Sequence, residues 1–173
     1  MLKVLKNIMF IIIVFQSCYA LSEEMQTVKH VDLKKYMGKW YEVARLPNSF
    51  QRNCTCTTAQ YKFKSSDEIS VVNSCIKKGK LSVAKGTAWQ ENAHDTSKLK
   101  VQFFWPFSGK YWILYLSKDY KYAVVGEPSL DYLWFLSRTK QVSPKQMKIM
   151  KEVALKNNYN LNNLLTTKNY QCK

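Results

Sequence analysis

The sequence lacks the marks of an enzyme. It contains no G-x-S-x-G, no H-E-x-x-H and no glycine-rich phosphate loop. Its two histidines, His30 and His94, stand beside no recognisable nucleophile, so catalysis is not expected. There is no C-x-x-C, which argues against thiol–disulfide exchange. Cys54-x-Cys56 is one residue short of the usual zinc-ligand gap, and the histidines show no ligand spacing. Neither a metal nor a cofactor is therefore expected. No linker, low-complexity tract or repeat divides the chain after its first 20 residues, so residues 21–173 read as one domain.

Long apolar runs are also missing, with one exception at the start. Residues 8–15, Ile8-Met9-Phe10-Ile11-Ile12-Ile13-Val14-Phe15, follow a basic segment containing Lys3 and Lys6. Eight residues fall far short of the roughly 20 needed to span a bilayer, and the pattern is that of a signal peptide over residues 1–20. Two endings fit. Cys18-Tyr19-Ala20 allows cleavage after Ala20. Phe15-Gln16-Ser17-Cys18 resembles a bacterial lipobox, with Phe15 where Leu is usual, and would place a lipid on Cys18. The expected location is accordingly the outer membrane as a lipoprotein, or the periplasm or exterior.

Acidic residues are scarce, 12 Asp plus Glu against 27 Lys plus Arg, for a formal charge of +15. Loss of the leader removes two lysines and leaves +13. The bases are scattered, with one denser cluster at Lys77-Lys78-Gly79-Lys80. Such a surface is expected to meet anionic membranes peripherally and in a salt-sensitive way. Single-stranded nucleic acid is a partner of another class that suits a basic, aromatic-rich barrel. The export signal and the inward placement of the aromatics argue against it.

Cysteine is sparse but informative. With Cys18 set aside, Cys54, Cys56, Cys75 and Cys172 form an even set in an exported chain, which suggests two disulfides. Cys54 and Cys56 are too close in an extended segment to bridge each other comfortably, so two pairings remain open.

Turn signals recur at short intervals, at Ser65-Ser66-Asp67, Lys78-Gly79, Asn92-Ala93-His94-Asp95, Pro106-Phe107-Ser108-Gly109, Lys118-Asp119 and Glu127-Pro128-Ser129. Between them, residues 40–45, 61–64, 69–75, 81–89, 99–105, 111–116, 122–125 and 132–137 are rich in aromatic and β-branched side chains. Eight strands joined by hairpin-length turns predict an all-β, antiparallel up-and-down barrel, although a two-sheet sandwich would give a similar string. One helix is expected near the end. Ser143 is its N-cap, Pro144 its first residue and Gln146 the far side of a capping box. Met147, Met150, Val153 and Ala154 share one face and should pack outside the barrel. Residues 161–167 could add a last strand.

Gly38-Lys39-Trp40-Tyr41-Glu42, at the start of the first strand, resembles the G-x-W-Y signature of the lipocalins. Asp119-Tyr120 stands where that family carries T-D-Y, with Lys118 replacing Thr, and Arg138 stands where an arginine closes the last strand. Trp40-Tyr41-Glu42-Val43-Ala44-Arg45, residues 101–107 and residues 131–139 are similar to the bacterial outer-membrane lipocalins, relatives of apolipoprotein D. The resemblance implies that Gly38, Trp40, Tyr41 and Arg138 are structural, with Arg138 laid over Trp40 at the closed end. It also implies Cys56–Cys172, because Cys56 stands five residues before Tyr61, and this leaves Cys54–Cys75.

An eight-stranded barrel leaves room for one small ligand. With Trp40 inward, alternation puts Glu42 and Ala44 on the same side, and a carboxylate there should pair or be held protonated. Alternation favours Val101, Phe103 and Trp105 as inward on the fifth strand. It leaves the face of residues 111–116 open. The resemblance favours Tyr61, Asn73, Phe103, Tyr111 and Trp134 as cavity residues. The function so implied is carriage or storage of a small hydrophobic ligand, a fatty acid or lysophospholipid, in the cell envelope. A pigment or haem-type carrier is the alternative on the same barrel, and a homodimer is allowed. Intact mass of the mature protein is expected to show a chain beginning either at Leu21 or at an acylated Cys18, and a chain retaining Met1 would refute the leader.

Overall fold

The structure is a computed structural model, and it describes residues 24–169 and 172. The leader assigned to residues 1–20, including Cys18, lies outside the described residues. Nine strands and two helices follow in order: α1 (Leu33–Tyr36), β1 (Gly38–Arg45), β2 (Cys54–Phe63), β3 (Ile69–Lys77), β4 (Lys80–Asn92), β5 (Asp95–Phe104), β6 (Phe107–Leu116), β7 (Tyr122–Gly126), β8 (Leu133–Ser137), α2 (Pro144–Lys156) and β9 (Leu165–Thr166). Each of β2 to β7 pairs antiparallel with the next, and β1 pairs with both β8 and β2. The sheet therefore closes on itself as an eight-stranded up-and-down barrel, which removes the free edges that an open sheet would expose.

The expected strands are present, and all but the last are longer, because the sequence signal marks only their most apolar stretch; β8 begins at Leu133, one residue later than expected. The expectation of a final strand over 161–167 shrinks to the two residues of β9, which pair with Ala44 and Arg45 of β1. There the tail takes over an edge that β2 vacates, since β2 meets β1 only from Gly38 to Tyr41. A bulge in β2 between Thr55 and Thr58 makes room, and the Cys56 N–H donates to the Lys168 carbonyl oxygen.

Cross-strand partners share a face, so the registers divide the side chains into two cores. The inner one holds Trp40, Ala59, Tyr61, Val71, Ala88, Leu99, Ile113, Val125 and Leu136. The outer one joins Trp112, Leu114, Val124, Leu133 and Phe135 to Met150 and Ala154 of α2. Ser143 caps α2 as expected, accepting from the Gln146 N–H at 3.2 Å. The reciprocal half of the capping box does not form, because the Gln146 amide turns toward the Tyr115 hydroxyl at 3.5 Å.

Two bulges alter the inward set that alternation gives. In β1 the register shifts between Glu42 and Ala44. Glu42 lies opposite Leu136 and Arg45 opposite Trp134, both inner residues, whereas Ala44 lies opposite Phe135 and faces outward. The expectation that Ala44 faces inward is thus corrected by one inserted residue. In β6, which alternation leaves undecided, Tyr111 and Ile113 face in while Trp112 and Leu114 pack outside. A bulge between Ile113 and Tyr115 then reverses the phase, leaving Leu116 inside and Tyr115 outside.

The disulfides join Cys54 to Cys75 and Cys56 to Cys172 across Cα separations of 5.5 and 5.6 Å. They close loops of very different length, with sequence separations of 21 and 116. On a chain-entropy account a loop of about 15 residues contributes about 3 kcal/mol and one of about 100 residues about 4.7 kcal/mol. Cys172→Ser is therefore expected to lower the melting temperature more than Cys75→Ser, as measured by thermal unfolding without reductant. An equal or reversed ranking would contradict the account.

Candidate ligand cavity

The floor of the barrel is built from the short segment before β1. Asp32 caps α1, its carboxylate accepting from the N–H groups of Lys34 and Lys35 at 3.0 and 3.3 Å. The helix ends at once, and Trp40, fully buried at the start of β1, donates from its indole nitrogen to the Tyr36 carbonyl oxygen at 2.9 Å. Arg138 lies across the opposite face of that indole, 3.8 Å from the ring centroid. Its guanidinium donates to the carbonyl oxygens of Lys35, Tyr36, Met37, Lys39 and Tyr120 at 2.8–3.3 Å. Gly38 is required here, since its φ is +99° and a Cβ would stand 3.2 Å from the guanidinium. Tyr41 is turned outward, with the Lys39 ammonium 4.9 Å above its ring.

Above this floor three tyrosines meet. The Tyr111 hydroxyl is 2.8 Å from that of Tyr36 and 3.0 Å from that of Tyr61. All three rings lie in the inner core. Burial raises each phenol: Tyr61 to about 12, and Tyr36 and Tyr111 well above the usual 10. Tyr36 is missed by sequence reasoning because strand alternation says nothing about a four-residue helix.

Higher on the wall stand Asn73 and Phe103. Asn73 lies opposite Ala59, an inner residue, and its Oδ1 is buried without a hydrogen-bond partner, as is the Thr57 hydroxyl. Phe103 packs on the inner core and limits the space over Gly86. Near the mouth Trp134 donates from its indole to Gln51 Oε1 at 2.8 Å and stacks on Tyr132, ring centroids 5.8 Å apart. Phe50 covers both rings at 5.7 and 6.4 Å.

Trp105 departs from its expected place. It was assigned to the cavity wall by extending the alternation of Val101 and Phe103, but β5 ends at Phe104. A register shift between Gln102 and Phe104 and a tight Trp105-Pro106 turn carry it beyond the wall, where it is 85% exposed. It belongs to the rim, not to the lining.

Glu42 is the one carboxylate buried at the wall. The β1 bulge brings Arg45 onto its face, and the Arg45 guanidinium donates to Glu42 Oε1 at 2.8 Å. The Gln51 amide donates to Oε2 at 2.6 Å, and the Thr167 hydroxyl donates to Oε1. Burial raises the carboxyl above its usual range, while Arg45 and then the Thr167 and Gln51 hydrogen bonds pull it back. Arg45 and Gln51 were not identified from sequence: one needs the bulge, and the other sits in a loop. Elsewhere His30 hydrogen-bonds Thr96 on the outer end of β5, and His94 sits in the β4–β5 turn. Among the described residues no group of three or more His, Cys, Asp and Glu could hold a metal ion.

The tyrosine trio gives a measurable pH signature. A phenol whose folded pKa is raised binds its proton more tightly in the native state, so stability falls as pH rises above 10, the unfolded value. In a spectrophotometric titration of the folded protein, Tyr36, Tyr61 and Tyr111 are expected to stay protonated at pH 11 and to ionise only with unfolding. Tyr111→Phe should remove the shared partner of the other two, at a cost of about 1–3 kcal/mol in denaturant unfolding. Normal titration of all eleven tyrosines would refute the arrangement.

A similar sequence and a similar fold are found in known proteins. Residues 31–169 match the family model described as a lipocalin-like domain. The chain is 37% identical to temperature-induced lipocalin-1 of Arabidopsis thaliana over 154 residues, 84% of this chain and 83% of that one. It is 36% identical to the outer membrane lipoprotein Blc of Vibrio cholerae, covering 88% and 91%. Bovine apolipoprotein D is 30% identical over 83% and 80%. Among solved structures, insecticyanin from the tobacco hornworm Manduca sexta superposes with a TM-score of 0.68 over 84% of each chain at 20% identity, a likeness of fold. With the motif residues Gly38, Trp40 and Arg138 forming the closed floor of an eight-stranded barrel, this chain belongs to the lipocalin family.

Proposed function

We propose that this lipocalin is a binding protein, not an enzyme, and that it carries or stores a fatty acyl or lysophospholipid molecule in the cell envelope. The observation that carries this reading is the inner face, aromatic and aliphatic along its height with few polar atoms. Such a lining accepts an apolar body and fixes it with one or two hydrogen bonds. Tyr61, Asn73, Phe103, Tyr111 and Trp134 are the proposed contacts. Asn73 Oδ1, buried on the inner face without a partner, is the proposed acceptor for a donor group on a polar head.

The envelope location rests on the leader pattern of residues 1–20 and on relatives named as outer membrane lipoproteins. The lipobox-like Phe15-Gln16-Ser17-Cys18 supports the same location through a lipid on Cys18.

Titration of the delipidated protein with oleic acid or lysophosphatidylcholine is expected to quench tryptophan emission and to saturate near one ligand per chain. The quench is assigned to Trp134, a proposed cavity contact packed against the inner core, and not to the exposed Trp105. Trp134→Phe should abolish most of it, while Trp105→Phe should leave it intact. Absence of a quench, together with native mass spectrometry showing no retained lipid after re-addition, would overturn the reading.

A further inference from the structure

The loops β1–β2, β3–β4, β5–β6 and β7–β8 all lie at the open end, as the registers require. Cys54 pairs with Lys77, Phe104 with Phe107, Gly126 with Leu133, and Arg45 with Trp134. That end is unusual in what it exposes. Leu81, Phe104, Trp105 and Phe107 are 69–85% exposed, and Phe50 is 57% exposed. A single exposed apolar side chain needs no explanation, but a ring of them around one opening does.

The charge at this end is almost entirely of one sign. The segments 46–53, 77–86 and 103–111 contain no acid and carry Arg52, Lys77, Lys78, Lys80, Lys85 and Lys110. The fourth loop contains Glu127 and Asp131. Glu127 is buried and turned onto its own loop, accepting from the N–H groups of Ser129, Asp131 and Tyr132 and from the Ser129 hydroxyl. Exposed aromatic tips among uncompensated lysines suit a surface that is apolar below and anionic above.

We propose that the open end is a membrane-docking face, which inserts the Phe104-Trp105-Pro106-Phe107 hairpin tip and Leu81 among the acyl chains of an anionic bilayer while the surrounding lysines hold its headgroups. The inference goes beyond ligand binding and stands without it. If both hold, the mouth of the cavity faces the bilayer, and a lipid passes between them without crossing water. A second copy of this chain would have to bring two such basic rims together, which the like charge opposes.

The test uses the protein as its host produces it, with Cys18→Ala so that no acyl chain can be attached at that residue. The probes are vesicles of phosphatidylcholine alone and of phosphatidylcholine with phosphatidylglycerol, both with and without brominated acyl chains. The emission of Trp105 is isolated by subtracting that of Trp105→Phe. Anionic vesicles are expected to shift this emission to the blue, and brominated chains to quench it. Lys77→Glu/Lys78→Glu/Lys80→Glu and, separately, Phe104→Asp/Phe107→Asp should each weaken vesicle binding at least tenfold. Lys78, Lys80, Phe104 and Phe107 are exposed and Lys77 is half-buried, and an unchanged melting temperature verifies the fold.

Four results would overturn the proposal: no binding to anionic vesicles, bound protein whose Trp105 emission stays that of water, hairpin variants that bind like the parent, or a blue shift without vesicles that follows protein concentration and so reports self-association. Loss of ligand titration with docking intact would refute the cavity function alone, and the converse would refute docking alone.

Discussion

The guanidinium of Arg138 holds the barrel closed, and the interior exists because of it. One planar cation lies over the Trp40 indole, an attraction worth about 0.5–2 kcal/mol, and donates to five main-chain carbonyls drawn from α1, β1 and the β6–β7 turn. Those carbonyls include Lys35, Tyr36 and Met37 at the C-terminal end of α1, where the helix itself leaves carbonyls unpaired. A lysine could supply the charge but not the fork of donors or the stacking. With this end sealed, water enters only from the mouth, and the inner face can remain apolar.

The barrel wall serves two cores at once. Strict alternation would give each strand one inward and one outward set, but β1 and β6 must also meet α2 and the C-terminal tail. Their bulges change phase midway, so β1 directs Trp40, Glu42 and Arg45 inward and Ala44 outward. The cost is a buried ion pair whose desolvation is offset in part by the donors Arg45, Gln51 and Thr167. Glu42 is thereby the junction of β1, the β1–β2 loop through Gln51, and the tail through Thr167. The Cys56–Cys172 bridge holds that tail in place from its far end.

The two ends of the barrel have opposite characters from the same kinds of residue. At the floor, aromatics and a cation are buried against each other and satisfied. At the mouth, aromatics and lysines are exposed, and the ladder Phe50–Tyr132–Trp134 connects the rim to the interior. The chain thus carries an amphipathic gradient along the barrel axis, from a sealed polar-capped base through an apolar wall to an apolar, basic rim.

Strand and helix positions were legible in the amino-acid pattern, whereas the choice of a barrel over a sandwich rested on the family resemblance. Turn residues at short intervals bounded eight apolar runs, and the lipocalin resemblance carried by Gly38, Trp40 and Arg138 implied the closed end. Ser143 and Pro144 located the helix, because capping and turn formation are local and depend on residues a few positions apart. The inner set of Tyr61, Asn73, Phe103, Tyr111 and Trp134 came from the family resemblance, since alternation alone left the face of residues 111–116 open. Only the tertiary structure decided what depends on register. It turned Ala44 outward, resolved β6 by a bulge, moved Trp105 from the wall to the rim, and brought Tyr36, Arg45 and Gln51 into the site. A single inserted residue reverses every side chain beyond it. Where that insertion falls is set by what the opposite face must pack against, here α2 and the tail that follows it, over a hundred residues from β1 in the chain.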